Sequence, residues 1–186
     1  QINGAQDYDG TNDYVTFGTN TSLDVGGGQF GIGVWINAKN TGATKIIYDK
    51  RTGGAPYLGY VLYLNTGGQV IFSLQNNSGT TYAITSPQRY DDSTWHYIVS
   101  TRDSANTLSL FVDGKNVASQ TSASGSYSNP TIPLFLGIAN DLASNYLLGT
   151  VDAFTIYNRA LTAAEIQSNY NNSNIEFQTR TSADNS

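Results

Sequence analysis

The stretch "FGIGVWINA" (residues 30–38) places Phe30, Ile32, Val34 and Ile36 on one side of an extended chain and Trp35 on the other. That alternation has the two-residue period of a β-strand, not the 3.6-residue period of a helix. Short runs of similar character recur along the chain. They are "YVTFG" (14–18), "KIIYDK" (45–50), "YVLYLNTGGQVIFSL" (60–74), "TTYAITS" (80–86), "TWHYIVSTR" (94–102), "TLSLFVDGKNVASQ" (107–120), "PLFLGIA" (133–139) and "YLLGTVDAFTIYN" (146–158). Clusters of Gly, Asn, Asp and Ser separate them, which is the strand-and-turn rhythm of a sandwich. Asn65–Gly68 reads as a hairpin turn inside 60–74, and "NNSG" returns the chain into 80–86. Asp113-Gly114 is the two-residue signal of a type I′ turn.

The composition fits an all-β chain. There are 19 Gly and 13 Tyr among 186 residues, and only 12% of residues are charged. The length suits one domain with a sizeable core. A formal net charge of −5 lacks the basic face that nucleic-acid binding needs. No run approaches the roughly 18 apolar residues of a membrane span. With no Cys, disulfides, zinc-thiolate sites and cysteine nucleophiles are excluded. With no Met and with Gln1 at its start, the chain reads as a processed or excised piece, its expected setting secreted or at a cell surface.

One helix is expected, over "LTAAEIQSNY" (161–170). Thr162 as N-cap and Glu165 three residues on form a capping box, with Leu161 and Ile166 as a hydrophobic staple. Short and late, it is expected to plug one end of the sandwich. The domain is expected to occupy residues 1–173, with 174–186 a polar tail or linker.

Five blocks, in order and spacing, carry a resemblance: "YDGTNDYV", "FGIGVWINA", "STWHYIVSTRD", "LSLFVDGKNVAS" and "GTVDAFTIYNRALTAAEI". Across residues 4–170 the chain resembles a laminin-G-like jelly roll of the concanavalin A-like lectin/glucanase superfamily. The last block, a strand Asp followed by "IYNRAL" and a capped helix, is the most specific. The resemblance implies two antiparallel sheets packed face to face as a β-sandwich (jelly roll), often with a structural calcium. It also implies a family used mostly for binding, with some glycan-cleaving relatives.

The residues argue against catalysis. Glycoside hydrolysis normally uses two carboxylates flanking the bond. The chain has two Glu, Glu165 in the helix cap and Glu176 in the expected tail, and no Glu-x-Asp-x-x-Glu cluster. Asp7/Asp9 and Asp91/Asp92 sit beside turn residues. His96, the single histidine, lies inside a strand with no nucleophile motif to serve.

Calcium takes six to eight oxygen ligands, and "DYDGTND" (7–13) is rich in oxygens. On simple alternation Asp152 shares a face with Phe154 and Ile156, where a carboxylate is costly unless paired or coordinated. The resemblance implies that Asp9 and Asp152 meet across neighbouring strands and share the ion, with Asn12 or backbone carbonyls completing the shell. The alternatives are that Asp9-Gly10 is only a tight turn, and that Asp152 pairs with Arg159 or Arg102 or faces water. Ala153 stands where relatives usually carry a polar residue.

Sugar sites combine aromatic faces with a few convergent polar groups. The best local mixture is "YDKRTGGAPYLGY" (48–60), with Asp49, Arg51, Tyr57 and Tyr60 around a Gly/Pro-bearing loop. A second is "NDLASNY" (140–146), with Asn140, Asp141, Asn145 and Tyr146, and "LQNNSG" (74–79) offers amides. The bland counterparts are half-buried strand tyrosines and a surface Asp49–Arg51 pair of small energetic consequence. Asn20, Asn76 and Asn171 fit the glycosylation sequon.

The expected function is a non-catalytic, calcium-stabilised, lectin-like module of a secreted or surface protein, whose partner is a glycan or cell-surface polysaccharide. The alternative is a protein-interaction or assembly domain without a sugar site, such as an adhesin, pilus or particle-surface component. A polysaccharide hydrolase is the third.

Overall fold

Phe30, Ile32, Val34 and Ile36 all point into one core cluster, as their alternation predicts, and Trp35 points away from it. The computed structural model describes residues 4–181, with side chains described through Asn172. In chain order the strands are β1 (Gln6–Asp9), β2 (Val15–Thr16), β3 (Phe30–Lys39), β4 (Lys45–Arg51), β5 (Gly59–Leu64) and β6 (Gln69–Gln75). They continue as β7 (Thr81–Arg89), β8 (Asp92–Arg102), β9 (Leu108–Val112), β10 (Lys115–Gln120), β11 (Phe135–Leu136) and β12 (Leu148–Tyr157), followed by the helix α1 (Ala163–Thr181). A short 3-10 turn covers Thr21–Leu23.

The strands form two six-stranded sheets, ordered β1-β12-β3-β8-β9-β10 and β2-β11-β4-β5-β6-β7. Every pairing is antiparallel. This is the expected two-sheet jelly roll. The inner faces meet through Phe30, Phe72, Tyr48, Tyr60 and their aliphatic neighbours. One polar link crosses this core: the Tyr48 hydroxyl lies 2.7 Å from Ser100 Oγ on the opposite sheet. At the predicted β9–β10 turn, Asp113 and Gly114 take φ of 52° and 78°. Positive φ at both central residues is what a type I′ turn requires.

Among the described residues two cations, Lys50 and Arg102, are buried and tie irregular loops to the sheets. Lys50 Nζ donates to the carbonyls of Asn129 (2.5 Å) and Ile132 (2.9 Å). Arg102 donates to the carbonyls of Ala123, Gly27 and Gly28 at 2.7–2.8 Å. Buried charge is tolerated only when its hydrogen bonds are met, so these loops are held where their carbonyls satisfy the cations.

Residues 6–9 form β1, which pairs along β12, so the strands of Asp9 and Asp152 are neighbours, as the resemblance implies. Two expectations need correction. First, α1 does not plug an end. The capping box forms as predicted, with Glu165 N donating to Thr162 Oγ1 (3.2 Å) and Thr162 N to Glu165 Oε2 (2.8 Å). The helix then lies on the outer face of the first sheet, where Leu161 and Ile166 pack with Trp35, Tyr97, Val99 and Phe111. Trp35 is stacked between Tyr97 (5.2 Å) and Tyr170 (5.8 Å). The helix also continues past Tyr170 to Thr181, so part of the expected 174–186 tail is helical. Side chains from 173 onward and residues 182–186 lie outside the described residues.

Second, β12 does not alternate simply. Its register against β3 shifts between Asp152 and Thr155, and Ala153 takes φ of 48°. The extra residue of this bulge turns Phe154 and Ile156 toward the inner core while Asp152 pairs opposite Trp35 on the outer side. Asp152 therefore does not share a face with Phe154 and Ile156. Its Oδ1 accepts the Ala153 N–H at 2.7 Å, which holds the bulge.

Candidate functional site

On the outer face of the second sheet, Asp49 and Arg51 stand two residues apart near the end of β4, so the pleat turns both the same way. Two loops flank them. One is the 52–58 connection to β5. The other is the 137–147 connection from β11 to β12, which lies here because β11 pairs directly with β4 through Phe135 opposite Asp49. This second loop is pinned to the strand by Ile46 N donating to the Asn145 carbonyl (3.0 Å). It is pinned again by the Asn140 N–H to Asp49 Oδ2 (3.3 Å) and by the Asn140 amide to the Arg51 carbonyl. Between the loops lies a cleft of about 280 Å³, lined by Asp49, Arg51, Thr52, Tyr57, Asn140, Asp141 and Asn145 together with Gly53 and Ala139.

The polar groups of the cleft are held firmly. Arg51 Nε and Nη2 meet Asp49 Oδ1 and Oδ2 at 2.9 and 2.8 Å, and the Arg51 N–H adds a further bond of 3.0 Å. Burial pushes the Asp49 carboxyl pKa up, while hydrogen bonds and the charge of Arg51 act against it. The pair is not the loose surface contact its local sequence permits, because the Asp49 side chain is 2% exposed and that of Arg51 23%. The Arg51 guanidinium carbon lies 5.5 Å from the centre of the Tyr57 ring. Tyr57 is 47% exposed, so much of its surface is open to solvent. Asp141 Oδ1 caps the N–H groups of Ala143 (2.9 Å) and Ser144 (3.1 Å), and Oδ2 accepts the Ser144 hydroxyl (2.6 Å). The Ser144 hydroxyl bond, followed by the Ala143 N–H, holds the Asp141 carboxyl below its ordinary pKa.

The two sequence candidates thus face each other across one cleft. Asp49, Arg51 and Tyr57 come from the first, and Asn140, Asp141 and Asn145 from the second. Tyr60 and Tyr146 do not join them. Tyr60 is fully buried, its hydroxyl donating to the Leu23 carbonyl at 2.7 Å. It follows Gly59 on the inward-facing parity of β5, so it is core. Tyr146 lies outside the lining, its hydroxyl directed to the Leu142 carbonyl at 3.3 Å. Thr52 has no marker in the sequence and enters the lining only because its loop folds over the end of β4. Of the sequons, Asn76 is 5% exposed and its amide donates to the Ser124 carbonyl at 3.0 Å, so it is not an accessible acceptor in the folded chain.

The proposed metal ligands do not meet. Asp9 pairs with Leu148 and Asp7 with Thr150, so Asp152 lies four residues further along β12, about 13 Å away at the strand rise. Asp9 Oδ1 accepts the N–H groups of Thr11 (2.7 Å) and Asn12 (3.4 Å). Of the suggested partners for Asp152, Arg159 is engaged with Glu165 (2.7 Å) and Arg102 with the loop carbonyls. Among the described residues no group of three or more His, Cys, Asp or Glu side chains converges as a metal site. The residues present do not fit a calcium shared by the first and last strands.

His96 also has a local role. Its Nδ1 lies 2.8 Å from Asp113 Oδ2 and its Nε2 3.2 Å from Asp92 Oδ1, so it braces the β9–β10 turn against β8. The Tyr97 N–H donates to the other Asp113 oxygen at 2.9 Å.

A laminin-G family model of the concanavalin A-like lectin/glucanases superfamily matches residues 9–167. The chain belongs to this superfamily. Among curated proteins no match was found. Solved structures of similar fold include the binding domain of Paraclostridial Mosquitocidal Protein 1, with a TM-score of 0.69 at 17% identity over 91% of this chain and 46% of that one. The botulinum neurotoxin serotype D ligand binding domain, in complex with N-acetylneuraminic acid, has a TM-score of 0.72 at 13% identity over 91% and 42%. The CBM40 domain of Ruminococcus gnavus IT-sialidase, bound to α2,3 sialyllactose, has a TM-score of 0.69 at 14% identity over 88% and 96%. The chain therefore spans less than half of the two toxin structures and nearly all of the CBM40 domain. At these identities the likeness is one of fold. A shared fold does not fix a function, which lies in the particular residues a site brings together.

Proposed function

We propose that this laminin-G-like domain is a non-catalytic carbohydrate-binding module of a secreted or surface protein, and that the cleft beside β4 is its sugar site. One observation carries this: an exposed tyrosine, a guanidinium and several amide and carboxylate groups from two separate loops converge on a single cleft. A pyranose offers an apolar C–H face to an aromatic ring and hydroxyls to polar side chains, and Tyr57 with Arg51, Asn140 and Asn145 matches both. The volume, near the lower end of small-ligand sites at roughly 300 Å³, suits the end of a glycan.

The carboxylates of the cleft favour binding over hydrolysis. A general acid needs a free proton-bearing oxygen aimed at the substrate. Both oxygens of Asp49 accept hydrogen bonds from Arg51 and Asn140, and both of Asp141 serve its own loop. Glu165 serves the helix cap and is not in the cleft lining; the Glu176 side chain lies outside the described residues. No ion is needed for this assignment, because the cleft's polar groups hold one another. No helix among the described residues is long and apolar enough to cross a membrane.

A glycan array with the intact chain and with Tyr57→Ala tests the proposal. Binding to a defined set of glycans, lost in the variant, is expected. A blank array overturns it. Release of reducing ends from a polysaccharide would overturn the non-catalytic part.

A further inference from the structure

We infer that the cleft selects neutral glycans over sialylated or otherwise carboxylated ones. This rests on the cleft being the sugar site. The one cation among the described residues lining the cleft is already neutralised: Arg51 is gripped through Nε and Nη2 by the Asp49 carboxylate. Its remaining N–H donors are suited to a neutral hydroxyl or ring oxygen, to which a guanidinium makes a charge-assisted hydrogen bond.

The Nε/Nη2 edge of the guanidinium is already taken by a carboxylate. To take that edge a ligand carboxylate must displace Asp49, leaving it buried and without its cation, which proteins tolerate poorly. To bind beside the existing pair it must sit near Asp49 and near Asp141, a second carboxylate in the same lining. Asp141 stays ionised, because its loop N–H groups and the Ser144 hydroxyl hold the charged form. With Asp49, Arg51 and Asp141 the cleft carries a net −1, and the whole chain carries −5. Repulsion of an anion is therefore local and long-range together. Such rejection by uncompensated like charge is a common source of specificity. The serotype D toxin domain and the CBM40 domain are complexed with sialylated or sialic acid ligands, so the inference separates this chain from neighbours of the same fold.

The test is an array of matched pairs, each a neutral oligosaccharide and its terminally sialylated counterpart, probed with the wild-type chain and with Asp141→Asn. Asn keeps a side-chain oxygen for the Ala143 and Ser144 N–H groups, so the loop is retained while one charge is removed. The expected result is that neutral members bind and that terminal sialylation weakens binding at least tenfold. Asp141→Asn is expected to narrow that ratio several-fold, and the ratio is expected to shrink as salt is raised. Equal or stronger binding of the sialylated members overturns the inference and leaves the sugar site standing. A blank array overturns both.

Discussion

Asp49 and Arg51, neighbours on one face of β4, are joined at both ends of the carboxylate, by Nε at 2.9 Å and Nη2 at 2.8 Å. The same carboxylate reaches across to the 137–147 loop through the Asn140 N–H. One buried acid thus fixes a cation, a strand and the facing loop, and with them the shape of the cleft.

Asp49→Ala removes that centre. Breaking a buried pair from one side costs about 3–5 kcal/mol. The lower end is expected here, because Arg51 retains some contact with water. Urea unfolding of the variant checks this, and an unchanged midpoint would show the pair to be unimportant. Arg51→Lys is expected to lose glycan binding with a smaller loss of stability, since an ammonium cannot reproduce the planar two-point contact.

Tyr57 contributes differently. Its exposure means that Tyr57→Ala should change stability by less than about 0.5 kcal/mol. A stacking platform at the centre of a site should nonetheless cost at least about 1 kcal/mol of binding when truncated, roughly fivefold in affinity. Calorimetric titration with an array hit, beside a melting curve, separates the two effects. Equal loss in both would make Tyr57 a structural residue.

Gly59 lies opposite Arg51 on β5 with φ of 119°, and an added Cβ would stand 2.0 Å from the Lys50 carbonyl oxygen. Gly59→Ala forces the strands apart beneath the cleft. A loss of at least about 1–3 kcal/mol is expected from the backbone conformation alone. A variant melting at the wild-type temperature would contradict this close approach.

Asp9 and Asp152 should behave as independent residues. Each holds its own piece of backbone, Asp9 the 10–12 turn and Asp152 the β12 bulge. Alanine at either should destabilise modestly, and the double variant should equal the sum within about 0.5 kcal/mol. Neither chelator nor added calcium should alter that additivity. A coupling of several kcal/mol that disappears with chelator would restore the shared ion.

His96 makes stability depend on pH. Burial lowers its pKa, but the hydrogen bond and charge of Asp113, and then of Asp92, outweigh burial and raise it. Burial raises the pKa of Asp92, but the Thr94 hydroxyl and N–H, and then His96, bring it below its ordinary value. The His96 contribution is therefore complete below the unfolded value of about 6.5 and lost as pH rises through the raised folded value. The Asp92 contribution is complete above its unfolded value of about 3.9 and lost as pH falls through the lowered folded one. Melting temperatures of wild type and His96→Gln should differ most between about pH 4 and 6.5 and converge above neutrality. A gap that widens at high pH would refute this assignment.

Much of the fold is written in local pattern. The β3 alternation, the Asp113-Gly114 turn and the Thr162–Glu165 capping box act over a few residues, so their physics is complete within a short window. Both loops of the cleft are recognisable for the same reason, as polar and aromatic residues clustered around turn formers. What local pattern lacks is register and pairing partner. The β11–β4 pairing brings residue 140 beside residue 49, and nothing near either announces the other. Tyr57 and Tyr60 are alike in sequence, yet one lies on an open loop and the other on the inward parity of β5. One extra residue at Ala153 inverts the face of Asp152, and the β1–β12 register then sets it four residues from the partner of Asp9. A strand's period says which side chains share a face, but the hydrogen-bond ladder between distant strands says which faces meet, and that is settled when the core closes.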